Sequence, residues 1–256
     1  MRKILLSAAG FDPSSGAGVG LDLRVFTEFG FEGMAVLTSL TAQNSSGVRK
    51  VRPISQAFLW EQYSALSADV TFSGIKVGMI GTAKNAEVIA RILTKSGETP
   101  RVVDPVMRSS SGAWLLEKKR VGFYLRAIQE KASVLTPNLD EASLISGIKI
   151  KNPDQMKEAA KKIYDTIGFP CLIKGGHLPR KAVDVLFDGR HISLYEHEKI
   201  RRDVHGTGCL FSSGLLCFLA QGMNLGVGCN LAGEFTLEEM KRAVKIGRGR
   251  SFFSFV

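Results

Sequence analysis

Short runs rich in Val, Ile and Leu recur along this chain, each followed by a longer segment with helical spacing of its apolar residues. That alternation is what parallel strands joined by crossover helices require. Strands are expected over residues 3–8, 34–40, 74–77, 101–104, 133–135 and 171–174. Helices are expected over 20–29, closed by Gly30; over 55–66, with Ser55 as cap; and over 83–94, capped by Thr82 and closed by Gly97. Asn152-Pro153-Asp154 opens another that runs to Ile167, since Asn caps and Pro is tolerated in a first turn. Residues 183–187 and 192–195 flank Asp188-Gly189-Arg190 and read as a hairpin, a short antiparallel edge after the parallel strands. Two more helices follow, a strongly apolar one over 208–221 and one over 225–244 weakened by Gly226, Gly228 and Gly233. No repeat or Pro/Gly/Ser-rich linker divides the chain, so one α/β domain over 1–256 is expected.

With 256 residues, a chain of this kind buries enough apolar surface to fold without disulfide or metal staples. Its four Cys form no C-x-x-C pair and do not combine with the four His at zinc-finger spacing, which points to free thiols in a reducing compartment. The apolar run after Met1-Arg2-Lys3 is short and passes into a Gly-rich turn, so it reads as a first strand rather than a signal peptide. No run of about 18 apolar residues is present to span a bilayer, and a cytoplasmic protein without membrane contact is expected. The formal charge of +10 admits either a polyanionic partner or small phosphorylated ligands. The basic residues are scattered over many segments without an RNP-type aromatic motif, which argues against a nucleic-acid partner.

There is no G-x-x-x-x-G-K-[ST] and no well-placed G-x-G-x-x-G. Glycines cluster instead at 10–20, 78–81, 175–176 and 206–208, the first three after strand ends, where an open parallel sheet places its ligand crevice. His205-Gly206-Thr207-Gly208-Cys209 runs straight into an apolar helix, so the amides around Gly206 and Gly208 offer an anion hole for a phosphoryl group in transfer. At that helix start Cys209 is expected to have a lowered thiol pKa suited to a base; the plain alternative is a tight turn with a buried Cys. Asp104 and Glu141 at strand ends suit water-mediated Mg²⁺ binding, although Asn138 with Glu141 three residues on also reads as a helix capping box. Lys174 before two glycines suits a nucleotide phosphate or is a lone strand-end Lys. Asp22 and Gln43 suit a polar ligand, while a helix-dipole Asp and an ordinary turn account for them equally. His191 and His197 read as surface residues of the hairpin, without function.

Residues 9–18 (AGFDPSSGAG), 41–44 (TAQN), 76–79 (KVGM), 104–107 (DPVM), 136–142 (TPNLDEA), 174–177 (KGGH) and 205–209 (HGTGC), taken in order, resemble the hydroxymethylpyrimidine/phosphomethylpyrimidine kinases of thiamine biosynthesis, within the ribokinase-like superfamily. The resemblance runs nearly the whole length. It implies a central, mostly parallel sheet with helices on both faces, a homodimer, and transfer from ATP with Mg²⁺ to the hydroxymethyl group of the pyrimidine and then to its monophosphate. By motif position, Gly10, Asp22, Gln43, Met79 and Val106 would line the pyrimidine pocket. Asp104, Asn138, Glu141, Lys174 and Thr207 would serve ATP, with Asp104 and Glu141 toward Mg²⁺. Cys209 would stand where many sugar kinases place a catalytic Asp, with Gly206 and Gly208 as the catalytic anion hole beside it. A base there need only accept a proton late, because bonding in phosphoryl transfer is loose.

The chain departs from the usual pattern at Ser15, where Gly is common, at Gly20-Leu21, where Gln-Ala is frequent, and at Val204 and Leu210, where Thr is usual. Gly20 and Leu21 are expected close to the pocket and so to bear on substrate preference. No fused thiamine-phosphate-forming domain is expected after residues 247–250. The neighbouring activity is that of pyridoxal/pyridoxine kinases, which phosphorylate a hydroxymethyl group on a similar ring. Gln43 favours an aminopyrimidine, since an amide both donates to and accepts from a ring edge. A basic nucleic-acid-binding protein on a kinase-like scaffold is the alternative from another class.

Overall fold

The structure is a computed structural model and describes residues 3–108, 112, 114–176, 178 and 182–255. Among the described residues six strands deliver the parallel centre expected from the apolar runs, β1 (Ile4–Phe11), β2 (Glu32–Asn44), β4 (Gly74–Val77), β5 (Arg101–Val103), β6 (Val134–Leu135) and β7 (Cys171–Ile173), and β3 (Gly47–Pro53) pairs antiparallel with β2. With β8 (Ala182–Phe187) and β9 (Ile192–His197) they form one sheet in the order β3-β2-β1-β4-β5-β6-β7-β8-β9. The sheet is therefore mixed. Its antiparallel edge at β8 and β9 was expected from the Asp-Gly turn, but the opposite edge, where β2 turns at Ser45-Ser46 into β3, was not. Residues 47–53 (GVRKVRP) carry too few apolar residues to signal a strand, and pairing with β2 supplies what the pattern lacks.

Adjacent residues on the central strands point to opposite faces, and both faces are covered. Leu6, Val103, Leu135 and Ile173 pack against α2 (Gln56–Ser67), α3 (Asn85–Lys95), α4 (Val121–Ile128) and α6 (Pro153–Ile167), whereas Leu5, Val102, Val134 and Leu172 pack against α1 (Gly18–Glu28) and α7 (Thr207–Ala220). Helix α8 (Leu225–Arg242) lies over α7 and β9. The helix starts follow local chemistry: Ser55 and Asn152 accept the amides of Phe58 and Gln155, and Gly168 ends α6 in the left-handed region at φ 74°. Helix α4 was not expected, and α5 (Leu139–Ser146) was signalled only by its capping box; both are only eight residues long and too short for a clear period.

The covering of β9 by α8 corrects one sequence expectation. His197 is not a surface residue: its side chain is 7% exposed, with Nε2 3.5 Å from Asp184 Oδ2. Gly233 is the reason the ring fits, since a Cβ there would stand 2.4 Å from it. His191 is exposed, as expected.

Candidate active site

The strand order reverses beside β1, with β2 to one side and β4 to the other, and the carboxyl ends of the central strands open there. Gly10 ends β1, Met79 follows β4, and Asp104, Asn138 and Lys174 follow β5, β6 and β7. The strand hydrogen bonding continues past these ends, with Asp104 N donating to Val77 O at 2.8 Å and Lys174 N to Pro137 O at 2.9 Å, so the segments carrying these side chains are held by the sheet. His177, in the same motif as Lys174, lies outside the described residues.

Lys174 Nζ donates to Asp104 Oδ1 at 2.9 Å, and Ser212 Oγ of α7 stands 3.5 Å from Oδ2. A Cβ on Gly208 would meet both Asp104 Oδ2 and Lys174 Nζ at 3.3 Å. Gly208 thus leaves a cradle between its own amide, a carboxylate and an ammonium. Gly206, the N-cap of α7, has φ 83°, and a Cβ there would lie 2.0 Å from Gly16 O, so this turn admits glycine only. The first-turn amides of α7, from Thr207 onward, have no intrahelical acceptor and face the end of the helix where the dipole is positive.

Both readings of Asn138 and Glu141 meet in the structure. The capping box is formed: Asn138 Oδ1 accepts Glu141 N at 2.9 Å and Glu141 Oε2 accepts Asn138 N at 3.0 Å. Glu141 Oε1 reaches further, to Met107 N at 3.1 Å. Burial, and next the negative charge of Asp104, push the Glu141 carboxyl up to about 7, although Lys174 and the two amides oppose this. Among the described residues no three His, Cys, Asp or Glu gather around one point. A pair of carboxylates is nevertheless what Mg²⁺ takes when substrate phosphates and water fill its remaining positions, and a cation would relieve the repulsion between Asp104 and Glu141. The residues present fit that ion.

Cys209 differs from expectation. The half-buried thiol is raised to about 11 rather than lowered. Burial is the main cause and the carboxylates of Asp22 and Asp104 add to it; Lys76 and the Gly18 amide, which hydrogen-bonds the sulfur, offset only part. The helix N-terminus is outweighed by desolvation.

Asp22 also departs from expectation. It lies in the second turn of α1 and is fully buried, with both oxygens 2.8 Å from Lys76 Nζ, Oδ2 accepting Ser7 Oγ at 2.6 Å and Oδ1 accepting Ser213 Oγ at 2.8 Å. Its acceptors are spent inside the protein, so it is not presented as an open partner for a ring. Ser7 and Lys76 sit side by side in the β1–β4 register on the face toward α1 and α7. Sequence reasoning missed Lys76, whose signal was a lysine between Ile75 and Val77 in a fully buried strand. Although burial opposes its charge, Asp22 and the neighbouring acids hold Lys76 above the usual lysine range.

Gly10 and Met79 are in contact, whereas Val106 and Gln43 have other partners. A Cβ on Gly10 would lie 3.4 Å from the Met79 side chain. Val106 follows Asp104, with its amide donating to Asp104 O at 2.8 Å. Gln43, at the end of β2, contacts Asp12 and His205, and Gln43 and His205 line a small cavity together with Arg250 and residues 44–48. Asp12 and His205 were not singled out as site residues, and the motifs that contain them were the available signal.

The sequence model of a family described as phosphomethylpyrimidine kinase matches residues 12–253. The chain is 37% identical over 254 residues to a hydroxymethylpyrimidine/phosphomethylpyrimidine kinase of Aquifex aeolicus, covering 98% of this chain and all of that one. Among solved structures it is similar to the phosphomethylpyrimidine kinase of Clostridium difficile 630, with TM-score 0.81, 34% identity and coverage of 93% and 99% of the two chains. It is also similar to the Staphylococcus aureus pyridoxal kinase in complex with AMP-PCP and pyridoxal, with TM-score 0.88, 28% identity and coverage of 99% and 93%.

Proposed function

The chain belongs to the phosphomethylpyrimidine kinase family, and from that premise we propose that it is an ATP-dependent phosphotransferase of thiamine biosynthesis, acting on 4-amino-5-hydroxymethyl-2-methylpyrimidine and then on its monophosphate. The observation that carries this reading is the cradle at Gly208, where the α7 amides, Lys174 and Asp104 converge beside Cys209. Phosphoryl transfer needs positioning and charge stabilisation above all, and this arrangement supplies both.

In this reading Thr207, Gly208 and Cys209 turn their amides toward the transferring phosphoryl group, with Gly206 shaping the turn, and Lys174 offsets its charge. Asp104 and Glu141 would hold Mg²⁺, which neutralises nucleotide phosphate charge when bound. Asn138 fixes Glu141 through the capping box and borders the nucleotide. Gly10, Gln43, Met79 and Val106 surround the pyrimidine, with Asp22 behind them as the partner of Lys76. Cys209 accepts the hydroxyl proton late; since its resting form is the neutral thiol, it must first release its own proton to solvent as substrate binds, and Lys76 is the nearby cation that supports the thiolate. A single ribokinase-like domain over 1–256 is supported by the continuous sheet. The homodimer follows from the family resemblance alone. A cytoplasmic location fits the sequence, and no helix among the described residues is long and apolar enough to cross a membrane. Small-molecule ligands without a nucleic-acid partner fit the scattered basic charge.

The likeness to a pyridoxal kinase favours one second reading, transfer to the hydroxymethyl group of pyridoxal. ADP release under Mg²⁺-ATP decides between the two. A higher kcat/KM for hydroxymethylpyrimidine is expected; an equal or reversed ratio moves the assignment to the pyridoxal kinases.

A further inference from the structure

Three polar atoms from three distant segments crowd one point of the pocket. His205 Nε2 lies 2.9 Å from Asp12 Oδ2 and 2.8 Å from Gln43 Nε2, and Gln43 Nε2 lies 3.0 Å from Asp12 Oδ2. Two of the three are held from outside the triangle. The His205 ring lies against Gly16, where a Cβ would stand 2.4 Å from it, and meets Phe252 edge-on with centroids 6.0 Å apart. Asp12 is held through its other oxygen, which accepts the Ser14 amide at 2.9 Å and the Ser14 hydroxyl at 2.7 Å. Burial works against ionised Asp12, but the hydrogen bonds of His205 and Ser14 outweigh it and keep the carboxyl below its ordinary value.

Such a triangle cannot be satisfied on all its sides. If His205 Nε2 carries a hydrogen it donates to Asp12, and the Gln43 NH₂ then faces another donor. If Nε2 is bare it accepts from Gln43, and its lone pair faces the carboxylate. Turning the Gln43 amide over sets its carbonyl against Asp12. Only the orientation with nitrogen inward lets Gln43 donate to Asp12 in both histidine states, and it leaves the Gln43 carbonyl, near Thr41 Oγ1 at 3.4 Å, as the end presented outward.

We infer that His205 is a positioning residue for ring recognition: with Asp12 it holds the Gln43 amide nitrogen inward, so that the Gln43 carbonyl meets a ring-edge N–H donor. The inference rests on the reading of this pocket as a ring-alcohol kinase, and it adds to that reading the role of His205.

The test is a double-mutant cycle of His205→Phe with Gln43→Leu, run on whichever of hydroxymethylpyrimidine and pyridoxal the wild type phosphorylates faster. A wrong substrate then shows in the wild-type rates, and a wrong role for His205 shows in the cycle. His205→Phe keeps a ring against Gly16 and Phe252 and is expected to raise the ring-substrate KM about tenfold, the scale of one lost hydrogen bond, with ATP KM and kcat within about twofold. His205→Gln should recover most of the loss, and His205→Phe should add nothing once Gln43 is Leu. Should Phe prevent folding, His205→Asn takes its place in the cycle. A ring KM that stays put in a folded variant, a loss that appears in kcat instead, or additive effects would overturn the role. A readout without turnover stands beside it: the side-chain ¹⁵N–¹H₂ signals of Gln43, identified by their loss in Gln43→Leu, should shift in ligand-free His205→Phe, and unmoved signals would also overturn it.

Discussion

Ser15 fills the space that Gly20 leaves open: a Cβ on Gly20 would stand 2.8 Å from Ser15 Oγ and 3.1 Å from its Cβ. Ser15 meanwhile holds φ 54°, the left-handed region that favours glycine. The two residues therefore compensate, a serine at the strained position before α1 matched by a glycine in the first turn of that helix. Gly20→Ala in the native chain should destabilise despite the better helix propensity of alanine. Paired with Ser15→Gly, the same change should gain part of the ~0.5–1 kcal/mol that Gly costs inside a helix. Chemical denaturation of the four proteins checks this, and strictly additive values would refute the compensation.

The buried Asp22–Lys76 pair gives a second expectation. Asp22→Asn leaves a lysine enclosed without a counter-charge, which should cost ~3–5 kcal/mol of stability. Thermal and urea unfolding measure this. A variant of native stability whose pyrimidine KM alone has risen would return Asp22 to the ring edge.

For Cys209 the sign is set by burial. With the thiol raised to about 11, the reactive thiolate is scarce at neutral pH in the ligand-free protein. Alkylation of Cys209 by iodoacetamide should therefore still be rising about tenfold per pH unit beyond pH 9, above the ordinary thiol pKa of about 8.5. Mass spectrometry of the labelled peptide follows it, and a plateau below pH 8 would restore the lowered thiol. Cys209→Ala should reduce kcat by ~10²–10⁴ if the sulfur takes the proton. A near-native kcat would leave the amide turn as the motif's contribution.

The two glycines of the turn should separate fold from chemistry. Gly206→Ala meets a carbonyl at 2.0 Å in a left-handed conformation and should disrupt the α7 start, visible as lost stability. Gly208→Ala meets only the Asp104 and Lys174 side chains, at 3.3 Å, and should fold while kcat falls by an order of magnitude or more. Equal stability losses would contradict the cradle.

Much of this architecture was readable because it depends on local signals. Apolar runs marked the central strands, Ser55 and Asn152 marked helix starts, and Asn138 with Glu141 marked both a cap and a strand-end carboxylate. What escaped depends on partners far away in sequence. β3 exists through its pairing with β2, His197 is buried by α8, and the thiol of Cys209 is raised by enclosure that a helix-start motif does not reveal. The same holds for Asp22, whose pairing with Lys76 of β4 depends on a residue 54 positions away.

The hydrogen bond between Asp12 and His205 joins residues 193 positions apart, and that between Asp22 and Ser213 joins residues 191 apart. Contacts of such span form only after the central strands have registered, because the intervening chain must first give up its freedom. Long-range closure of this kind places the Asp12–His205 and Asp22–Ser213 contacts late in the expected order of folding. A nascent chain halted before residue 205 would hold the segments of the central strands and of Asp104 and Glu141 but lack both His205 and Ser213, so under the proposed function ring binding would report completed folding in refolding or ribosome-release experiments.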